Sequence, residues 1–210
     1  MTEPRPRVAV ITFPGSNDDR DTCWALGSLG AEAVPVWHGD DVLPDVGAVV
    51  LPALLSLTEK HRPLTGREFI TAAVAGYEIG PRVGLCMGPE HIGQGWHSGA
   101  TLGVFSAAAG SARAMRLDVG QTINAIGIGG TQAAGLMAAQ YGSMVKRMHA
   151  GRAAETGVLA CELAQRGFTG PLAGVDGHFG LLEVIGGTDT AVNALTDKLG
   201  EDYAISRVWV

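Results

Sequence analysis

The sequence predicts a predominantly α-helical protein with a short α/β segment of two or three parallel strands at its N-terminus. Three observations lead there. The first fifty residues hold three compact apolar runs separated by turn residues. From Pro52 onward, apolar residues recur at the three-and-four spacing of a helix face. And 31 of the 210 residues are glycine with no collagen period, which means turns, caps and close helix contacts.

The elements follow in order. RVAVITF (7–13) is an apolar run closed by Pro-Gly, as expected of a buried parallel strand. A helical spacing through Trp24, Leu26 and Leu29 follows, with Asn17 and Asp18 as candidate caps. AEAVPVW (31–37) and GAVVLP (47–52) give a second and a third strand. Strand, helix, strand, loop, strand is the opening of a doubly wound fold. Past Ala53 the style changes. Phe69, Ala73 and Tyr77, flanked by Ile70 and Val74, predict one apolar face of a helix. Ser98 is a candidate cap for a helix from about Gly99 to Arg116, and Asp118 with Gln121 forms a capping box for the next. That next helix carries GIGIGGTQAAG, which fails the dinucleotide spacing at Gln132 and reads as small residues for tight helix contact. In KRMHAGRAAETGVLACELAQRG (146–167), Ala150, Ala154, Val158 and Cys161 make one stripe, and Ala153, Gly157 and Ala160 a second row.

Composition excludes several classes. Hydrophobic residues at 46% and charged residues at 17% describe a globular chain. A net charge of −6 with no basic run argues against a nucleic-acid partner. No apolar stretch reaches membrane-spanning length, and MTEPRPR lacks the core of a signal peptide, so no membrane partner is expected. Three scattered cysteines read as free thiols in the cytoplasm.

Two stretches carry candidate chemistry. Lys146, His149 and Arg152 lie three apart at the start of a helix, where cations oppose the dipole and a recruited anion would explain them. In GQGWHSGAT, His97 precedes the helix start marked by Ser98, a place suited to a carboxylate ligand. A solvated basic face and a structural histidine are the plain alternatives.

The N-terminal motifs VAVITFPGSNDDRDT, VPVWHGDD and AVVLP resemble the glutaminase subunit of phosphoribosylformylglycinamidine synthase, a class I amidotransferase. That resemblance stops where Pro52 is followed by Ala53-Leu54-Leu55 in place of the family's oxyanion loop. The motifs PALLSLTE, GREFITAAVAGYEIGPRVG, GPEHIGQGWHSGATLGVFSAAAG, GTQAAGLMA, GSMVKRMHAGRAAETGVLA, RGFTGP and LGEDYAISRV resemble the MmgE/PrpD family. Its members include 2-methylcitrate dehydratase and cis-aconitate decarboxylase. The two resemblances divide the chain at residues 1–51 and 52–210.

The second resemblance implies a fragment of an all-helical domain and a lyase acting on a small polycarboxylate without metal or cofactor. Carried over onto matching motifs, it makes His97 an acid/base and Lys146 a carboxylate clamp. Ser98, His149 and Arg152 would bind substrate. It also implies an incomplete site, because the amidotransferase-like segment, with His38, Asp40 and Asp41, stands where the family has an acidic motif and a histidine. The family's second domain should begin at about Val210. Two other functions stay open. Gly84-Leu-Cys86-Met-Gly88 fits the nucleophile elbow of a glutaminase, although no His-x-Glu pair follows. Alternatively, the small-residue faces serve a non-catalytic association module. Members of the family are commonly dimers, which implies a homodimer.

Overall fold

The computed structural model describes residues 7–12, 32–37, 48–49, 52–61, 63–88, 90–141, 144–187 and 190–203. The helix expected through Trp24 and Leu29, the residues His38, Asp40 and Asp41, and the extended segment expected at 204–210 lie outside them. The described chain is predominantly α. Strands β1 (Arg7–Thr12), β2 (Glu32–Trp37) and β3 (Ala48–Val49) form a parallel sheet in the order β2-β1-β3. Arg7 pairs with Glu32 and Thr12 with Trp37, while Val8 and Ala9 pair with Ala48 and Val49. Pro35, which has no N–H to donate, lies on the edge strand β2, where such a residue is tolerated.

Eight α-helices follow among the described residues. They are α1 (Pro52–Lys60), α2 (Gly66–Met87), α3 (Glu90–Gly93), α4 (Ser98–Thr101), α5 (Gly103–Met115), α6 (Val119–Gly130), α7 (Val145–Gln165) and α8 (Leu181–Ile185). No helix is long and apolar enough to cross a membrane among the described residues. Helix α2 begins with a reciprocal capping box between Thr65 and Glu68, and α6 with the expected one between Asp118 and Gln121.

Helix α5 is the centre. It packs on α1, α2, α6 and α7, and nearly every residue from Val104 to Ala112 is buried. A helix apolar all round has no solvent face to offer, so its neighbours must surround it. They do so at backbone distance. A Cβ on Gly76 of α2 would stand 2.7 Å from the Ser106 carbonyl oxygen, and one on Gly80 would overlap the Ser106 hydroxyl. On the other side, a Cβ on Gly157 of α7 would stand 2.6 Å from the Ala108 nitrogen.

This close packing corrects the face expected on α2. On α2 the buried line runs through Phe69, Ala72, Gly76, Gly80 and Val83, while Ile70 is 52% exposed. On α7 both rows are engaged: Ala153, Gly157 and Ala160 are buried on one and Cys161 on the other, where Ala150 alone is exposed. Small residues, rather than the largest apolar ones, select the contact face because they allow the closest approach. The GIGIGG run behaves as expected: Gly127 and Gly129 are buried, and Gly130 abuts the Phe105 ring.

Two polar links tie distant segments together. Arg82 and Glu78 form a buried ion pair of 2.6 Å. Arg82 also donates to the carbonyls of Ala194 (3.1 Å), Asp197 (2.8 Å) and Asp202 (3.2 Å), fixing the last described segment on α2. Glu162 of α7 receives Lys60 Nζ at 2.6 Å and His61 Nε2 at 3.0 Å, joining α7 to the end of α1.

Replacing Gly157 with Ala should cost about 1–3 kcal/mol by forcing two backbones apart. Gly151→Ala, on the open side of the same helix with nothing within 4 Å, should instead add roughly 0.5–1 kcal/mol. Denaturant titration of the two variants checks the opposition in sign.

The hydrogen bond from Lys60, supported by His61, holds the Glu162 carboxyl below its ordinary range despite burial. A depressed carboxyl contributes stability above its unfolded value, about 4.3 for glutamate, and loses it as pH falls through the lower native value. Thermal melts should therefore lose stability over that acidic window, and Glu162→Gln should flatten the dependence there.

Candidate active site

The site is built on backbone first. The Gly93-Gln-Gly95 turn ends α3, with Gly95 at φ 96°. Trp96 then forms an antiparallel bridge with Leu136. The His97 N–H donates to the Gly135 carbonyl at 3.0 Å, and the Met137 N–H to the Gly95 carbonyl at 2.7 Å. The His97 carbonyl accepts from the Ala100 and Thr101 N–H groups at 2.9 and 3.1 Å, which starts α4. His97 is thus pinned on both sides.

Its ring lies over Gly99, where a Cβ would come within 3.0 Å of Cε1. It meets His149, from the second turn of α7, with Nδ1 to Nδ1 at 3.2 Å. The ring centroids are 5.0 Å apart and the planes tilted by 56°. Gly135 makes room for this meeting: a Cβ there would press on the His149 ring at 3.2 Å and collide with Ala100.

Of the residues singled out in the sequence, the structure brings His97 and His149 together. Lys146 sits in the first turn of α7, one turn before His149. Ser98 is the first residue of α4 and not its cap. His97 holds the cap position without a side-chain cap bond, because its own carbonyl accepts the first helical bonds. Nor is there one helix from Gly99 to Arg116. Leu102 separates the single turn of α4 from α5. Arg152 is turned elsewhere. It donates to Glu155 at 2.6 Å and borders a cavity of about 340 Å³ with Gln132, Leu159 and Phe168. Two steps of three along an α-helix fall about 120° short of two full turns, so Lys146, His149 and Arg152 cannot share one line.

Sequence reasoning missed His91 and Thr101. His91 is only 3% exposed, with Nδ1 at 3.1 Å from the Ile185 carbonyl and Nε2 at 2.8 Å from Thr101 Oγ1. A carbonyl only accepts, so Nδ1 carries the proton and, in the neutral ring, Nε2 accepts from the threonine hydroxyl. That spends the one hydroxyl hydrogen, and Thr101 reaches the His97 carbonyl through its backbone N–H, at 3.1 Å. The pair therefore links α8 to the backbone of the site. Nothing local marks this histidine, which is flanked by the exposed Glu90 and Ile92.

The cysteine elbow is absent. Cys86 lies in the last turn of α2, fully buried, with Sγ 4.0 Å from the Val192 carbonyl. Burial pushes its thiol up, against smaller opposing effects from the Leu195 backbone and the Arg82 charge. Cys161 is pushed up to about 12, by burial and by the neighbouring Glu162. Among the described residues, no group of three or more His, Cys, Asp or Glu side chains could hold a metal ion.

The chain belongs to the MmgE/PrpD family: the model of the MmgE/PrpD N-terminal domain matches residues 35–193. It is 44% identical over 130 residues to the cis-aconitate decarboxylase-like protein oryM of Aspergillus oryzae, covering 59% of this chain and 27% of that protein. It is 40% identical over 126 residues to the cis-aconitate decarboxylase of Aspergillus terreus, covering 58% and 26%. It is also 41% identical over 86 residues to the phosphoribosylformylglycinamidine synthase subunit PurQ of Frankia casuarinae, covering 39% and 37%. The chain thus spans about a quarter of the length of the decarboxylase relatives it matches. The family match takes three quarters of the chain and the PurQ match two-fifths, so the two overlap. The shared stretch is longer than GAVVLP.

A thiol-reactive glutamine analogue should label Cys86 no faster than Cys161. Selective labelling of Cys86, read by peptide mass spectrometry, would restore the glutaminase reading.

Proposed function

We propose that residues 52–210 provide the helical part of a lyase site for a small polycarboxylate, with residues 1–51 as a separate amidotransferase-like segment. The observation that carries this reading is the meeting of His97 and His149, with Lys146 one turn before His149 on the same helix. A cis-aconitate decarboxylase and a cis-aconitate decarboxylase-like protein among the relatives support the substrate class. In this reading His97 moves the proton next to a carboxylate, and Lys146 holds that carboxylate as negative charge develops. Ser98 and His149 border the ligand. Arg152 would have to exchange its exposed pairing with Glu155 for a second carboxylate, which costs little because exposed pairs are weak.

Binding and turnover separate in this proposal. A charge-assisted hydrogen bond from lysine is worth roughly 1.5–3 kcal/mol, enough for weak retention of a polyanion. Each acid/base partner of the reaction contributes typically about 10²–10⁴ in rate, and one clamp cannot replace it. We infer that turnover needs groups these 210 residues do not bring together. The cytoplasmic setting and the homodimer belong to the same reading. Exposed Phe168, Leu172, Phe179 and Val184, spread from the end of α7 to α8, favour association.

Calorimetric titration with citrate, 2-methylcitrate and cis-aconitate should give weak binding that Lys146→Ala or His97→Ala reduces by about tenfold or more, the equivalent of 1.4 kcal/mol. Equal binding by all three proteins would remove the site assignment. Dehydration or decarboxylation by the 210-residue chain would remove the claim that the site is incomplete.

A further inference from the structure

We infer that His91 is a positioning residue of the candidate site. It grips the turn that carries His97 on both sides of that residue, and it keeps the Thr101 hydroxyl away from the His97 carbonyl. The role bears on a reaction only through the function proposed above, whereas the grip itself rests on hydrogen-bond geometry.

Helix α4 has four residues, and a single helical turn does not hold itself. His91 supplies three fixed points. Its carbonyl accepts from the Trp96 N–H at 3.3 Å, immediately before His97. Its Nε2 accepts from the Thr101 hydroxyl at 2.8 Å, four residues after His97. Its Nδ1–H donates to the carbonyl of Ile185, the last residue of α8, at 3.1 Å. Ile185 in turn lies in the buried cluster with Val83, Met87 and Leu182. The first two bonds close the chain around His97, and the third anchors it in the core. The bond from the His97 N–H to the Gly135 carbonyl comes from another segment and is a separate support.

The imidazole does something here that an apolar side chain would not. The His97 carbonyl already accepts from the Ala100 and Thr101 N–H groups at 2.9 and 3.1 Å, which occupies both lone pairs. Thr101 Oγ1 stands only 3.3 Å from that carbonyl. A threonine hydroxyl in a helix turns to the carbonyl four residues back when it has no better acceptor, and such back-bonds bend helices. Here Nε2 of His91 is nearer and takes the hydrogen. Thr101 is fully buried and His91 is 3% exposed, so bulk water offers no substitute acceptor. Without that nitrogen the hydroxyl would compete with the two N–H bonds that start α4 and set the direction of His97. Buried polar groups satisfied this fully fix one arrangement of a core.

The test reads the His97 ring by NMR, at one fixed pH, in the 210-residue chain and in four variants. Thr101→Val keeps the shape of the side chain and removes the hydroxyl, while Thr101→Ser keeps the hydroxyl. His91→Asn keeps a donor near Nδ1 for Ile185 and removes the acceptor near Nε2, while His91→Gln keeps an acceptor there. All four should melt below the parent. Thr101→Val and His91→Asn should also shift the His97 ring signals and weaken cross-relaxation between the His97 and His149 rings, whose centroids lie 5.0 Å apart in the parent. Thr101→Ser and His91→Gln should keep the parent signals. The double variant His91→Asn/Thr101→Val should move His97 no further than Thr101→Val alone, because both changes act through one bond. Unmoved His97 signals in folded Thr101→Val would overturn the inference. So would shifts in all four variants that follow their loss of stability, the mark of a purely structural histidine. The two Thr101 variants decide the matter if the His91 variants fail to fold. In calorimetry, cis-aconitate should bind severalfold more weakly to Thr101→Val than to Thr101→Ser. A parent protein that binds no polycarboxylate would sink the proposed function and leave the ring signals to decide on His91.

Discussion

The arrangement depends on one constraint: α5 is approached at backbone distance from two sides at once. Ser106, Ala107 and Ala108 face Gly76 and Gly80 of α2 on one side and Gly157 of α7 on the other. Contacts this close sum many small dispersion terms and tolerate no added methyl group. They also set the register of α2 and α7 along α5. That register has a consequence at the site. His149 lies two turns before Gly157 on α7, and His97 lies one short turn before α5. A slip of α7 against α5 by one turn would move the imidazole by about 5.4 Å and break the ring contact.

The polar interior extends this frame to the end of the described chain. A buried ion pair is weak evidence for stability, since desolvation offsets much of its attraction. Arg82 does more than pair with Glu78. Its remaining donors reach the carbonyls of Ala194, Asp197 and Asp202. His91 performs the same service between Ile185 and Thr101. Two buried side chains from α2 and α3 thus gather the C-terminal segments, and one of them holds Thr101, whose N–H donates to the carbonyl of His97.

These relations were unevenly legible in the sequence. The strands, the Asp118 capping box and the role of small residues in GIGIGG could be read because each is local: a composition run, a four-residue pattern, a failed motif spacing. Both small-residue rows of α7 were legible as faces to be gripped, but the sequence did not say which would come to backbone distance. Only the Ala107–Ala108 backbone decides that. Ile70 misled because hydrophobicity was weighed above size, and α2 buries the face that can come closest. Ser98 misled because a good capping residue was one position late. His97 took the cap position through its bonds to Ala100, Thr101 and Gly135, two of which are local and one not. The His97–His149 contact spans 52 positions and had a family motif to suggest it, while His91 had no signal at all.

The stretch Gly84–Gly88 shows how tertiary context decides between two descents. Read with the N-terminal strands, Gly-Leu-Cys-Met-Gly is an elbow between strand and helix. Such an elbow needs an extended, buried strand before the cysteine, with alternate residues inward. The chain before Cys86 instead buries Phe69, Ala72, Gly76, Gly80 and Val83, at intervals of three and four. That order suits a helix docked on α5, and a strand of period two would bring Gly76 and Gly80 to the same face with nothing large between them to pack. Pro81 does not end the helix, because Val83, Cys86 and Met87 beyond it are all buried in the same core. What selects the helical form is distant in sequence: the Ser106 backbone against Gly76, and the carbonyls that hold Arg82. The glycines that would have exposed a nucleophile instead bring the thiol to rest inside the bundle.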